Sequence, residues 1–245
     1  MYSTYLLVSH GSHDPRPQQA LKQLADRLKN RINLRLLPSS PSPVLATATL
    51  ECSPVPLHEQ IKQYAEYTRN LGLNQLEILP LFLLPGVHVK EDIPQEVAIA
   101  QEALGRAVSL KIKPYLGYQL SRLATKLTYQ MTSIPCEVWI LLSHGSRRPL
   151  GNQPVEELAS QLGAIPAYWS ISPSLESQIE ALVKTGYKNI GILPYFIFAG
   201  GITDAIARLS EELAEKYQSV TFRVAEPLGV NDTLVDLVVD ILMEN

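Results

Sequence analysis

The sequence predicts an α/β protein of two similar units, each a central parallel sheet flanked by helices. Short runs rich in β-branched residues and leucine alternate with longer segments of helical period, which is typical of βαβ units. A strand-like run that ends in Ser-His-Gly-Ser occurs twice, at 9–12 and at 143–146, and such self-similarity indicates a duplicated unit. Hydrophobic residues make up 46% of the 245 residues, which supplies enough apolar side chains for buried cores.

The first half reads as alternating strands and helices. Leu21, Leu24, Leu28 and Ile32 recur at three- and four-residue spacing and mark one helix face. Pro94 suits the first turn of a later helix, where its missing N–H is harmless. The predicted strands are Tyr5–Ser9, Val44–Glu51, Leu76–Phe82 and Ala107–Ile112, and the predicted helices are 20–32, Leu57–Leu71, one from Pro94, and Leu120–Met131.

The second half repeats this order and ends in a helix that Asn231 and Asp232 can cap. Its predicted strands are Glu137–Ser143, Ala167–Ile171, Asn189–Phe196 and Val220–Ala225, and its other helices are Pro154–Leu162, Leu175–Thr185 and Thr203–Tyr217. The halves join near 132–135. We therefore expect two domains, 1–133 and 134–245, with a cleft between them.

Charge and composition exclude several classes of function. The net charge of −3 offers no general attraction to nucleic acid or to anionic membranes. We expect no signal peptide, because the first residues lack a basic region and a long apolar run, and no segment comes near the roughly 20 apolar residues of a membrane helix. Cys52 and Cys136 lack a CxxC pattern, so we expect two reduced cysteines in a cytoplasmic protein.

Three chemically capable side chains follow strands of the first half. His10 follows the first strand, Glu51 ends the second, and His88 lies in the loop after the third. Parallel strands bring their carboxyl ends to one edge, where ligands of open α/β sheets bind. Two imidazoles and a carboxylate there suit a divalent transition metal, or proton removal near neutral pH. Taken singly, each histidine could be a hydrogen-bonded structural residue, and the glutamate a surface charge.

The apolar segment 79–94 precedes and contains His88, and it would supply a wall for a large flat ligand. Gly86 would let backbone approach that ligand closely. The alternative is a buried strand followed by an ordinary helix. When Pro80 is aligned with Pro194, Ile202 takes the place of His88, and Ser170 falls near the place of Glu51. The second half therefore offers His144 no counterpart of Glu51 or His88, so we expect one active site, in the first half.

This ordered set of motifs resembles the class II chelatases of the CbiX/SirB type over essentially the whole chain. The residues that carry the resemblance are Ser9-His10-Gly11-Ser12, Leu50-Glu51 and the run from Leu79 to Pro94. The resemblance implies two chelatase-like, flavodoxin-like units, with a degenerate second repeat forming the other wall of the cleft. It also implies insertion of Fe²⁺ or Co²⁺ into sirohydrochlorin, in siroheme or cobalamin biosynthesis. His10 and His88 would hold the metal substrate, and Glu51 would act with them in catalysis.

The carboxylates of such a substrate need donors. We expect the helix N-termini after His10 and after His144 to supply amides. The candidate substrate-binding residues are Ser12, Gly86, Lys90, His144 and Ser146, with Arg16, Arg147 and Arg148 nearby in sequence. We expect no tightly bound cofactor. A monomer is expected as well, because one chain carries both repeats.

Two other functions compete with the chelatase. A metal or tetrapyrrole carrier would need the same ligands and the same apolar wall. A phosphoryl-transfer enzyme could use His10 as a nucleophile, but histidine phosphatases place an arginine before His-Gly, where this chain has Ser9. The C-terminal region lacks the histidine-rich stretch and the Cys-based motif of some cobalt-directed relatives, which favours Fe²⁺. Simpler cobalt enzymes of the family also lack these features, so the choice between Fe²⁺ and Co²⁺ stays open.

Overall fold

The computed structural model describes residues 4–36 and 42–244. Strands and helices alternate along each half. The first half contains β1 (Thr4–Ser9), α1 (Pro15–Arg35), β2 (Val44–Thr49), α2 (Leu57–Asn70), β3 (Gln75–Pro80), α3 (Ile93–Leu104), β4 (Ser109–Ile112) and α4 (Leu120–Thr132). The second contains β5 (Val138–Ser143), α5 (Gln153–Leu162), β6 (Ile165–Tyr168), α6 (Leu175–Lys184), β7 (Asn189–Pro194), α7 (Gly201–Lys216), β8 (Thr221–Val224) and α8 (Asp232–Met243).

The strands form two parallel four-stranded sheets of the same topology, which confirms the predicted fold class. The strand order is β2-β1-β3-β4 in one sheet and β6-β5-β7-β8 in the other. In each sheet the first strand of the repeat is central, and Leu6, Leu7 and Val8 of β1 are fully buried. Such continuous apolar runs are typical of parallel strands covered by helices on both faces.

The helices follow the predicted periodicity closely. Leu21, Leu24, Leu28 and Ile32 form the buried face of α1, as their spacing predicted. The Asp14 carboxylate accepts a hydrogen bond from the Arg16 amide and caps this helix. No helix among the described residues combines the length and the apolar character needed to cross a bilayer.

The predicted bounds differ from the structure at three places that matter for the site. β2 ends at Thr49, two residues before Glu51, although the Glu51 amide still donates to the His10 carbonyl at 2.8 Å. β6 ends at Tyr168, earlier than the predicted Ile171. A π-helical turn over His88–Asp92 leads directly into α3, so the helical path begins well before Pro94.

The chain forms two compact units whose bounds differ from the expected domains 1–133 and 134–245. Met1–Tyr118 and Val230–Asn245 form the first unit, and Gln119–Gly229 forms the second. The helix that ends the first half, α4, thus belongs to the second unit. The helix that ends the second half, α8, belongs to the first unit.

Polar contacts connect each of these helices to its own unit. In the first unit, three arginines of α1 bind three aspartates of α8 in a ladder: Arg27 with Asp232, Arg31 with Asp232 and Asp236, and Arg35 with Asp236 and Asp240. In the second unit, the Lys126 ammonium of α4 donates to the Leu228 carbonyl at 2.8 Å. Gln130 of α4 likewise donates to the Glu226 carbonyl at 3.2 Å.

Candidate metal site

His10, Glu51 and His88 meet at the carboxyl edge of the first unit's sheet. One potential ligand atom from each lies within 4.8 Å of the other two. The His10 Nε2 atom is 3.8 Å from Glu51 Oε2, and the rings of His10 and His88 meet edge to face with centroids 4.8 Å apart. The structure thus brings together the three residues that the sequence selected.

Backbone contacts hold His10 and Glu51 side by side. β1 and β2 pair in parallel up to Ser9 and Thr49, and two further amide bonds extend this pairing, from Leu50 to Ser9 and from Glu51 to His10. Gly11 adopts a φ of +98°, and a Cβ there would lie 2.0 Å from the Glu51 carbonyl oxygen. The glycine of Ser-His-Gly-Ser is therefore required by a close backbone approach within the site.

His88 is positioned by the π-helical turn that it begins. The Ile93 amide donates to the His88 carbonyl, a five-residue step of the kind often found at functional sites. The Phe82 ring lies beside both imidazoles, with centroids 5.9 Å from His88 and 6.4 Å from His10. Phe82 also packs against the core of the first unit, so it links the site to the rigid part of the fold.

The hydrogen bonds of the two histidines select which ring nitrogen is available. His10 Nδ1 lies 3.2 Å from the Gly11 carbonyl oxygen, and His88 Nδ1 lies 2.6 Å from Asp92 Oδ2. Both partners accept hydrogen bonds, so in the neutral form of each imidazole Nδ1 is the donor and Nε2 carries the lone pair. Two imidazole nitrogens and a carboxylate oxygen suit a divalent first-row transition metal.

The site is open to solvent. The exposed side-chain fractions are 53% for His10, 51% for Glu51 and 31% for His88. Three protein ligands in an open setting leave coordination positions for other groups. An open site of this kind suits a metal ion that is bound and then released, whereas a structural metal ion is enclosed by its ligands.

The predicted substrate-binding residues of the first unit lie close in sequence to His10 or His88, and they differ in their exposure and in their hydrogen bonds. The Ser12 hydroxyl already accepts a hydrogen bond from the Asp14 amide at 3.0 Å. A Cβ at Gly86 would meet no protein atom within 4 Å, so internal packing does not require this glycine. Lys90 lies on the π-helical turn with an exposed side chain. The Arg16 guanidinium is held by the Asp14 carboxylate.

The helix N-termini offer fewer amides than the sequence suggested. Prolines occupy the first and third positions of α1, and Asp14 accepts the amide between them. α5 begins at Gln153, well beyond His144, and its early amides on Val155 and Glu156 bond to the Asn152 carbonyl. These amides are already paired, and the supply of amides from each helix start to a substrate carboxylate stays a prediction.

His144 and Ser146 belong to the second unit. The Ser146 amide donates to Asn152 Oδ1 at 2.8 Å, and its hydroxyl accepts from the Arg148 amide at 3.2 Å. The Ser170 amide and hydroxyl both donate to the His144 carbonyl, at 3.0 and 2.8 Å. Among the described residues, the metal-ligand cluster found is that of the first unit.

Sequence reasoning missed Asp92 and the role of Phe82. Asp92 follows His88 by four residues just before a helix, a spacing that places both on one helix face, and this signal could have found it. Phe82 belongs to the apolar segment 79–94. Its position beside both histidines depends on how the loop after β3 folds, which the spacing does not reveal.

The fold and this site define a two-repeat α/β protein with an open His-His-Glu metal site in its first unit. The chain belongs to the CbiX family, whose model matches residues 4–129 and 138–245. It is 25% identical to a sirohydrochlorin ferrochelatase of Priestia megaterium over 95% of this chain and 86% of that protein. It is 22% identical to a sirohydrochlorin cobaltochelatase of the same organism, over 94% of this chain and 75% of that protein.

A solved structure confirms the fold of the whole chain. The structure described as SirB from Bacillus subtilis with Fe³⁺ matches 99% of this chain and 94% of its own, with a TM-score of 0.80 and 21% identity. The agreement of family, fold and repeat pattern confirms the resemblance that the motifs indicated.

Proposed function

We propose that this protein is a chelatase that inserts a divalent metal, Fe²⁺ or Co²⁺, into sirohydrochlorin. The observation that carries the proposal is the convergence of His10, Glu51 and His88 within 4.8 Å in a member of the CbiX family. The similar proteins of Priestia megaterium are named for insertion of iron and of cobalt into the same macrocycle. The reaction belongs to the biosynthesis of siroheme or cobalamin.

In this proposal the metal is a substrate that the two histidines present to the macrocycle. Neutral imidazoles with free Nε2 atoms bind a divalent ion without neutralising it, so the ion stays attractive to the anionic ring nitrogens. The open side of the site leaves room for the ring to approach. Transfer then exchanges metal–imidazole bonds for metal–pyrrole bonds.

Metal entry releases pyrrole N–H protons, which need an acceptor close to the metal. Glu51 is the carboxylate beside His10, and its exposed side chain can accept a proton and return it to solvent. Each imidazole can also take a proton once its nitrogen has released the metal. The three residues therefore act as both a metal donor and a proton acceptor for the same ring.

The remaining parts of the proposal concern the substrate contacts, the choice of metal, the cellular compartment and the oligomeric state. Lys90 is the exposed cation closest in sequence to His88, and we propose that it binds a carboxylate of the macrocycle. Fe²⁺ is the favoured metal. The free Cys52 and Cys136 suit a reducing compartment such as the cytoplasm. We further propose that the chain acts as a monomer, since it carries both repeats.

The test follows the absorption of sirohydrochlorin mixed with Fe²⁺ or Co²⁺ under anaerobic conditions, with and without the protein. We expect metallation to be faster with protein, and the ratio of the rates with the two metals gives the preference. A carrier would bind the macrocycle or metal without changing the rate. A rate equal to the spontaneous reaction with both metals would sink the chelatase proposal.

A further inference from the structure

The contact between His88 and Asp92 has the geometry of an orienting hydrogen bond. His88 Nδ1 and Asp92 Oδ2 are 2.6 Å apart, which is short for an N–H···O bond and typical of a charge-assisted one. The two residues begin and end one π-helical turn, so the backbone itself sets their separation. This contact fixes both the ring orientation and the position of the ring proton.

The neighbourhood of His88 leaves the ring few alternatives. The Phe82 ring lies on one side, with a centroid separation of 5.9 Å, and His10 meets it edge to face at 4.8 Å. A flip of the imidazole would place Cδ2–H against the carboxylate and lose the hydrogen bond. Nε2 is then the nitrogen that remains available for a metal.

We propose that Asp92 is a positioning residue for metal capture, which holds His88 in the Nδ1–H tautomer so that Nε2 binds the metal substrate. The inference rests on the proposed function for the identity of the reaction, but the quantity that it predicts is the affinity for the metal alone. Carboxylates that orient ligating histidines in this way typically contribute about 10- to 100-fold in metal affinity. Asp92 touches neither metal nor macrocycle and acts through His88.

His10 is oriented differently, which makes the effect of Asp92 specific. Its Nδ1 lies 3.2 Å from the carbonyl of the next residue, Gly11, a contact that no side-chain substitution removes. The orientation of His10 is thus built into the strand end. That of His88 depends on one side chain.

The chain offers a matched control in a second histidine–carboxylate pair. His58 Nδ1 lies 2.9 Å from Glu96 Oε2, and Glu96 lies four residues after Asp92 on the same helical path. Glu96→Gln neutralises the carboxylate that contacts His58, as Asp92→Asn neutralises the one that contacts His88, but at a histidine outside the metal site. Comparison of the two positions separates an effect on the site from an effect on helix stability.

The experiment titrates the full chain with Co²⁺ alone, without macrocycle, by calorimetry and by the visible spectrum of bound Co²⁺. We expect Asp92→Ala and Asp92→Asn to weaken Co²⁺ binding about 10- to 100-fold, and Glu96→Gln to leave it within about twofold. Nitrogen NMR of the imidazoles gives a second readout. We expect His88 to be protonated at Nδ1 in the unchanged protein and to shift toward Nε2 in the Asp92 variants.

Asp92→Asn keeps the shape of the side chain, so it carries the test if Asp92→Ala fails to fold. A folded Asp92→Asn protein with unchanged Co²⁺ affinity and an unchanged His88 tautomer would overturn the inference. Weakened binding with the expected tautomer change supports it, even if the protein fails to metallate sirohydrochlorin. Normal acceleration of metallation together with unchanged Co²⁺ binding in the variants would retain the proposed function and remove the role of Asp92.

Discussion

The strand ends of the two units share one backbone arrangement and carry different side chains. In the first unit, the Glu51 amide donates to the His10 carbonyl at 2.8 Å. In the second, the Ser170 amide donates to the His144 carbonyl at 3.0 Å. Ser170 therefore occupies the place of Glu51, and its hydroxyl turns back to the His144 carbonyl instead of facing a metal.

The helix starts beyond the third strand of each unit show the same relation. The amide four residues after Gly86 donates to its carbonyl at 3.1 Å, and the equivalent bond to the Gly200 carbonyl is 3.0 Å. This equivalence places Ile202 where His88 stands, as the alignment of prolines predicted. The duplicated scaffold thus positions three side chains in each unit. The chemistry resides in which residues fill those positions.

The largest effect should come from removing one histidine from each unit. We expect His10→Ala to lower kcat/KM for metallation by about 10²- to 10⁴-fold, because it removes a metal ligand and proton acceptor. His144→Ala should cost no more than about tenfold, since His144 lacks the glutamate and the second histidine. Initial rates under identical metal concentrations provide the measurement. Equal losses from both substitutions would refute a single active site.

A metal site can also be built into the second unit, so that its three side chains match those of the first. Ser170→Glu with Ile202→His supplies the two missing ligands beside His144. We expect the double variant to bind a second equivalent of Co²⁺, more weakly than the first because no Asp92 equivalent is present. Calorimetric stoichiometry measures this, and the single variant Ser170→Glu is the control. A folded double variant that still binds one equivalent would show that the strand-end positions alone do not make a site.

Glycine substitutions probe the backbone that both units share. Gly11→Ala should destabilise the fold by about 1–3 kcal/mol, because φ is +98° and the new Cβ would strike the Glu51 carbonyl. Gly145→Ala meets side-chain atoms of Ile171 and Tyr168 at 2.8 and 2.9 Å. It should cost stability as well, without displacing Glu51.

Denaturant unfolding and metallation rates together separate these outcomes. We expect Gly11→Ala to lose activity beyond its loss of stability, and Gly145→Ala to lose chiefly stability. The control Gly86→Ala has open space around the new Cβ and should leave the free energy of unfolding nearly unchanged. A Gly11→Ala protein with full activity would show that the close approach to Glu51 does not position the carboxylate.

Local patterns in the sequence were sufficient for most of the fold. The periodic face of α1, from Leu21 to Ile32, and the two Ser-His-Gly-Ser strand ends predicted the elements and the edge where His10, Glu51 and His88 meet. These signals are local because helix period and strand end are properties of short segments. Parallel pairing alone brings the ends of β1, β2 and β3 to one edge, whereas the π-helical turn sets the place of His88.

The exchange of α4 and α8 between units was not predictable from such patterns. The arginines of α1 and the aspartates of α8 that hold them are some 205 residues apart in the sequence. Because α4 and α8 end their repeats at equivalent places, short-range patterns in the sequence do not show which of the two packs against α1. The π-helical turn at His88 escaped prediction for a related reason, since Pro94 alone suggested a later helix start.

The two exchanged helices differ in their polar contacts, and this difference gives the smallest predicted effect. α8 buries an apolar face and adds exposed and half-buried ion pairs to α1, each pair worth about 1 kcal/mol or less. α4 instead buries Lys126, which is 7% exposed, and this burial lowers the pKa of its ammonium to about 8. The unfolded chain keeps an ordinary lysine pKa near 10.5. Above pH 8 the unfolded state therefore binds more protons than the folded state.

Because of this difference, the free energy of unfolding should rise with pH through the region where folded Lys126 has lost its proton. Between pH 8 and pH 9 the expected gain is on the order of 1 kcal/mol. Lys126→Met removes the titrating group, so its unfolding free energy should lack this rise. Subtracting its profile from that of the unchanged protein cancels the other groups that titrate there. Parallel profiles would mean that the buried amine keeps its proton and that the Leu228 carbonyl stabilises it as a charge within the second unit.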